Sequence, residues 1–345
     1  MRLVGALVAA ALLLWTFRDT DSERVGVLLA RVGGAGVLLL VLPQFLSLAV
    51  ESFGWRLAFA GMGRRLPYWG LFRARIATEA MAQTLPLGVL FSESMKPLLL
   101  ARTCGADLST SLAGMAARKW LLICSQSLYL GGFCLLGWPL LARISSDVIG
   151  GPGLPWLLAG VTLLWVALGS GTYAVLNRGR VAERVGHWMC KLPLVWLRAR
   201  LHGSRDKLTH TDGHLRRFFA TAFASPLPLL CFLAGWLLET SETFVILWLL
   251  GVELSWTTVG AIEVSASFLR NVAIIVPAGL GVQDLSYVAF LRALQVPDAL
   301  NVAAAFLLLK RSKEVFWSAL GYVVLAVELR GEAPLPGATA QPLLP

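Results

Sequence analysis

VPAGLGVQDLSYVAFLR, Val276 to Arg292, is a break set inside apolar sequence. A long apolar approach, Val264 to Val276, runs into Pro277, Gly279 and Gly281, and then into Gln283 and Asp284. Proline removes a backbone donor and glycine opens conformations closed to other residues, so a helix is expected to stop here. A new helix is expected to start near Gln283, with Asp284 in its first turn, where the helix dipole favours negative charge. In water this would be a loop. Within an apolar chain it is a broken helix, and open backbone at membrane depth is tolerated only against protein or beside a water-filled cavity.

The same pattern occurs earlier. Pro86 falls on Pro277 and Gly88 on Gly279, an offset of 191 residues that continues without a gap from Leu85 to Trp120. Leu100/Leu291, Asp107/Asp298, Ala113/Ala304 and Lys119/Lys310 are further identical pairs. Glu93 falls on Asp284, and upstream Glu51 falls on Glu242. The matches include the Pro-x-Gly break, two acidic positions and a lysine, which points to an internal duplication. Paired interrupted segments in corresponding halves of a membrane protein point to its binding site.

Composition sets the class. The 345 residues are 57% hydrophobic and 14% charged, with a mean hydropathy of +0.71. This excludes a soluble domain, and several apolar runs reach spanning length. Thirteen tryptophans suit a protein with two water interfaces. Much of the net charge of +10 sits in one loop. Anionic lipid headgroups are therefore the expected partner, and nucleic acid is not. Cys104, Cys124, Cys134, Cys190 and Cys231 form no CxxC pair and read as small packing residues.

The expected fold is an all-α polytopic membrane protein with about six spanning helices and two broken re-entrant hairpins in an inverted repeat. Residues 1–330 form a single membrane domain, with repeat units at about 33–141 and 218–329. Leu3 to Phe17 reads as a short first membrane helix rather than a signal peptide, since no clear small-x-small site follows. A charged link, Arg18 to Arg31, leads to a second helix from about Gly33 to Ala60. Pro67 to Thr84, with Arg73, Arg75 and Glu79, is too polar to face lipid; Pro86 to Glu93 is the first break, and Ser94 to Thr103 a return helix. Leu108 to Leu141 is expected as one helix, Trp156 to Leu176 as a clean span, and Phe218 to Leu250 as another. Residues 177–217 are a basic cytoplasmic loop, whose Val181 to Leu201 part suits an interfacial helix. Trp256 to Val276, the second break and Gln283 to Gln295 repeat the hairpin; Pro297 to Leu329 is the last long helix, and 331–345 a disordered tail. Loop charge places both termini inside.

Glu51, Glu79, Glu93, Glu242, Glu263 and Asp284, with Arg118, Lys119, Arg270, Lys310 and Arg311, lie in or beside apolar segments. A charge at bilayer depth costs at least ~2.5 kcal/mol, so these side chains are expected to face a cavity or one another. One reading is a polar cleft that holds a lipid headgroup. The other is internal ion pairing alone, such as Lys310 with Glu314 one turn on. Glu79 and Arg270 occupy equivalent places in the two halves, and an inverted repeat predicts that they approach each other; local pairing of Glu79 with Arg75 is the alternative. His187, His202, His210 and His214 all lie in the basic loop without a compelling third metal ligand, so neither metal nor cofactor is expected. No G-x-S-x-G, H-E-x-x-H or P-loop pattern is present, and no residue is assigned a catalytic role.

The P-x-G-x-G-x-Q-[DE] break, the stretch Ala303 to Glu314 (AAAFLLLKRSKE) and the segment Glu79 to Glu93 (EAMAQTLPLGVLFSE) resemble the lysylphosphatidylglycerol synthase transmembrane, flippase-like family. Within it the chain looks most similar to the hopanoid biosynthesis-associated membrane proteins. The resemblance implies a bacterial inner-membrane protein that handles, and translocates, polar lipids. By matching position it assigns the family pattern to Pro86, Gly88, Glu93, Pro277, Gly279, Gly281, Gln283, Asp284, Lys310, Arg311 and Glu314. Two departures bear on headgroup choice: Leu90-Phe91-Ser92 stands where a glycine pair is usual, and Asp284 where glutamate is commoner. Only a short tail follows Leu329, so lysyl transfer by this chain alone is not expected.

Two functions are compatible with these residues. The first is a lipid translocase or lipid-binding carrier whose headgroup cleft holds Glu93, Arg118, Lys119, Gln283, Asp284, Lys310, Arg311 and Glu314. The second is a membrane-embedded transferase or an accessory subunit of lipid synthesis, which would bring partner proteins; a homo-oligomer is compatible with both. The charge asymmetry makes one prediction about topology. An impermeant thiol reagent should leave Cys190 in the basic loop unlabelled in intact cells and label it in inverted vesicles; labelling from outside would overturn the orientation.

Overall fold

The structure, a computed structural model, describes residues 18, 20–85, 88–177, 205–222, 224–272 and 282–330, the side chains of 205–208, 269–272 and 282 excepted. Eleven helices follow one another in these residues: α1 Ser22–Gly61, α2 Tyr68–Thr84, α3 Gly88–Cys104, α4 Leu108–Leu136, α5 Trp138–Ile149, α6 Leu154–Asn177, α7 Arg205–Ala222, α8 Leu227–Leu249, α9 Trp256–Val272, α10 Val282–Ala293 and α11 Ala299–Arg330. No strand occurs among the described residues. The protein is all-α.

Four helices, α1, α4, α6 and α8, are long and apolar enough to cross a membrane. Their outer faces stay apolar: Leu38, Leu135, Leu136, Trp156 and Leu163 are all exposed, as side chains facing lipid would be. Helix α11 has 32 residues, about 48 Å at 1.5 Å per residue. Its length suits a span, but Lys310, Arg311, Lys313 and Glu314 interrupt its apolar character. The expected first span (3–17) and the interfacial part of the basic loop (181–201) lie outside the described residues.

Several boundaries differ from the sequence reading, each for a local reason. The charged link at 18–31 is mostly helix, because Asp21 caps α1 and accepts from the N–H groups of Glu23 and Arg24 at 3.0 and 3.3 Å. Gly33, at φ +58°, then breaks α1 inside its length, so the segment expected from Gly33 is its second part. The single helix expected over Leu108 to Leu141 is two. Pro139 supplies no N–H just after the turn at Gly137, and α5 starts there. The span expected over Phe218 to Leu250 is parted before Pro226 and Pro228, which open α8. The end of the basic loop is not loop but helix α7, which packs on α4.

The first break is short. Helix α2 ends at Thr84, Leu85 is extended, and α3 starts at Gly88, so the return helix begins well before Ser94. Gly88 sits against the α2 end so closely that a Cβ would lie 2.4 Å from the Met81 carbonyl oxygen. At the second break, α9 ends at Val272 and α10 begins at Val282. Pro86, Pro277, Gly279 and Gly281 themselves lie outside the described residues.

Helices α2 and α3 pack against each other. Helix α11 packs along α2, and α8 packs along α1. At Gly321, a Cβ would stand 2.7 Å from the Ile76 carbonyl oxygen and 2.6 Å from Ala80 Cβ, so α11 touches α2 backbone to backbone. Trp55, Phe59, Leu71, Leu99, Leu100 and Phe232 form a fully buried apolar core. A Gly321→Leu substitution must push α11 off α2. We expect a loss of about 1–3 kcal/mol, read as an earlier unfolding midpoint in detergent, while the same change at exposed Gly160 should leave the midpoint in place.

Candidate functional site

The interior carries two rows of charged side chains, one beside each hairpin. On the first side, Glu51 of α1 is the hub. Its Oε2 accepts from Arg75 Nη2 at 3.0 Å, Arg75 Nε at 3.2 Å and Arg118 Nη2 at 3.3 Å. Arg75 also donates to Glu79 one turn along α2, and Glu79 accepts from Gln83 Nε2 at 3.1 Å. The Arg118 guanidinium lies over the Trp55 and Phe232 rings, 5.6 and 5.9 Å from their centres. Gly235 of α8 makes room for this hub, since a Cβ there would come within 2.9 Å of Glu51 Oε1. Beyond Arg118, on α3, Glu93 accepts from Lys96 at 2.7 Å and from Lys119 of α4 at 2.6 Å.

On the second side, Lys310 of α11 donates to Tyr287 Oη at 2.7 Å and to Glu263 Oε1 at 3.3 Å. Tyr287 in turn donates to Glu263 at 2.6 Å and accepts from Gln283 at 3.2 Å. The Lys310 ammonium also sits 4.7 Å from the centre of the Tyr287 ring. Arg311 bridges Asp284 of α10 and Glu314, the latter at 2.6 Å. One turn on, Lys313 donates to Glu242 of α8 and, at 3.3 Å, to Gln44 of α1.

The charged and polar residues expected at a headgroup cleft fall in two groups, with changed partners, and the break residues Pro86, Pro277, Gly279 and Gly281 lie outside the described residues. Glu93, Arg118 and Lys119 lie in the first row; Gln283, Asp284, Lys310, Arg311 and Glu314 lie in the second. Lys310 does not meet Glu314: it reaches across to Glu263, and Arg311 takes Glu314. Glu79 pairs with Arg75, the local alternative, and the Arg270 side chain lies outside the described residues. Sequence reasoning missed Lys96, Tyr287, Gln44 and Thr243. The duplication offset held a signal for two of them, since Lys96 falls on Tyr287 and each lies beside the lysine of the following long helix.

A pair of carboxylate and ammonium in such a place is held by geometry. Glu242 and Lys313 are 3% and 7% exposed at the side chain, and Glu263 and Lys310 are 5% and 11% exposed. The row ends differ. Lys119 is 44% exposed while its partner Glu93 is 22% exposed, so the first row opens towards the outside of the bundle at α4. Lys119 stands eleven residues beyond the first residue of α4, about 16 Å along the helix.

A family model described as the lysylphosphatidylglycerol synthase TM region matches residues 2–309. The chain belongs to this family. Curated proteins yield no match. As a lysylphosphatidylglycerol synthase transmembrane-region protein with four apolar helices of spanning length, it is a membrane protein. The two charge rows therefore lie between the helices of a membrane domain, where each unpaired ion is costly.

Depth sets the energetic weight of each pair. Lys313→Met leaves Glu242 buried without its cation, and we expect a loss of about 3–5 kcal/mol in unfolding free energy. Arg73→Met breaks a 2.9 Å pair with Glu328 in which the arginine is 50% exposed, and here about 0–1 kcal/mol is expected. Chemical unfolding of both variants in mild detergent compares them directly. Equal losses would contradict the interior placement of the Glu242–Lys313 pair.

Proposed function

We propose that this chain translocates or carries a lipid with an anionic or polar headgroup in the bacterial inner membrane, with both termini inside. One observation carries the reading. The first charge row holds four cations, Arg75, Lys96, Arg118 and Lys119, against three carboxylates, Glu51, Glu79 and Glu93. The surplus positive charge falls at the open end of the row, where Lys96 and Lys119 share the single carboxylate of Glu93. A half-exposed ammonium part-way along a spanning helix is best satisfied by an anion that enters from the lipid, and a phosphate is the abundant one.

The broken hairpins extend the reading. Helices that start and stop at membrane depth leave backbone donors and acceptors for a headgroup, and a second hairpin on the other side of an inverted repeat would serve the opposite face. In this scheme Glu93 and Lys119 receive the headgroup in one state, while Asp284 and Arg311 belong to the counterpart site. The hopanoid-associated branch adds proteins of lipid synthesis as candidate partners.

Lipids that co-purify with the protein test this. Lys119→Gln should retain severalfold less anionic lipid by mass spectrometry than the wild type. Its unfolding free energy should fall by no more than about 1 kcal/mol, as for a partly exposed ion pair, since Lys96 still meets Glu93. An unchanged lipid complement with this variant would refute Lys119 as the headgroup contact.

A further inference from the structure

A cavity of about 500 Å³ opens away from both charge rows, where α1 gives way to α2, α4 begins and α7 packs across. That size is in the range of small-molecule sites. Its polar wall is built by Arg64, Asp107, Ser109, His210, His214 and Arg217, and Leu108 forms an apolar edge that is 42% exposed. Since α1 and α4 are both spanning helices that end or begin here, the cavity lies at the level of the membrane surface.

The wall is unequally satisfied. Asp107 is occupied as the cap of α4: its Oδ1 accepts from the Thr110 N–H at 2.7 Å and from the Ser109 hydroxyl at 3.3 Å. Burial works against its charge, but these Thr110 bonds and Arg64 hold its carboxyl below the usual aspartate range. Arg64 approaches Asp107 at a loose 3.9 Å and remains half-exposed. Arg217 makes no ion pair among the described residues. His214 is 8% exposed, and its Nδ1 is buried with no hydrogen-bond partner among the described residues. Burial, together with Arg64 and Arg217, holds this imidazole below the ordinary histidine range, against the pull of Asp107 and the Met62 backbone.

We propose that this cavity is a second anion site, at the membrane surface, that binds a phosphate group between Arg64, Arg217, His210 and His214. Two guanidinium forks and two imidazoles match the several acceptor oxygens of a phosphate, and arginine is suited to them by its planar pair of donors. A phosphate beside His214 reverses the bias against its charged form. The ring takes a proton from solvent, and Nδ1 donates to a phosphate oxygen, which gives the buried nitrogen its missing partner. Asp107 stays on the α4 N-terminus and orients Arg64. A metal is the poorer occupant. Among the described residues no group of three or more His, Cys, Asp and Glu side chains is placed to hold one, and two arginines in the wall repel it. The source of the phosphate is either a phospholipid headgroup, its glycerol end against Leu108, or a free phosphate.

The full chain, delipidated in a maltoside detergent and carrying Lys119→Gln to weaken the cleft, is titrated with inorganic phosphate and, separately, with dihexanoyl phosphatidylglycerol. Isothermal calorimetry reads both. Arg217→Gln and His210→Gln alter exposed positions, so unfolding midpoints should stay near that of the parent. We expect one or both probes to bind the parent, and the double variant to bind at least about tenfold more weakly. Binding of phosphate alone identifies a free-phosphate site; binding of the lipid alone identifies a headgroup site. Failure of both probes to bind the parent, or equal affinity in the double variant, overturns the proposal.

Discussion

The organising constraint is the cost of ions inside an apolar bundle. Glu51, Arg118, Glu242, Glu263 and Lys313 are all buried, and each is tolerable only because an opposite charge from another helix meets it. This pairing dictates which helices must be neighbours. Glu51 draws α2 and α4 to α1, Glu242 draws α11 to α8, and Glu263 draws α11 to α9. Apolar packing in a membrane is nearly as good against lipid as against protein, so polar contacts and close glycine approaches do much of the specifying. The backbone contact at Gly321 and the space at Gly235 belong to the same logic: small residues bring the helices near enough for the ions to meet.

The sequence carried this only in part. Charges in apolar runs marked residues that the fold buries and pairs, because an ion at such a place needs a partner. The family pattern was legible in the two breaks and in the AAAFLLLKRSKE stretch. Partner choice was not legible. Lys310 and Glu314 are one turn apart and look like a pair, yet Lys310 turns inward to Glu263 and Tyr287, and Arg311 takes Glu314. Nothing in a linear pattern says which face of α11 meets α9. Helix ends were missed for a different reason. Long apolar stretches hide short turns, so the stops at Gly137 and before Pro226 were read through as continuous helix.

The two charge rows differ in how they close. The second is tightly knit: Lys310 is shared by a carboxylate, a phenol and the Thr243 hydroxyl, and the ring of Tyr287 lies beneath it. In the first, the pairs stay short from Glu51 outward to Lys119, but exposure rises to 44% at that lysine. The second row is enclosed, although Glu242 Oε1 and Arg311 Nε are buried without a hydrogen-bond partner among the described residues, and the first is open at one end. The cavity walled by α7 is separate from both.

Helix α1 joins the two rows mechanically. Gln44, which receives Lys313, and Glu51, which receives Arg75 and Arg118, are seven residues apart on its inner face, about 10 Å along the axis. Both lie beyond the Gly33 break, in one continuous stretch of helix. That stretch acts as a rigid spacer bar with a fixed interval between its two sockets. Lys313 of α11, Arg75 of α2 and Arg118 of α4 fill these sockets, so the interval on α1 fixes the height at which three other helices meet it.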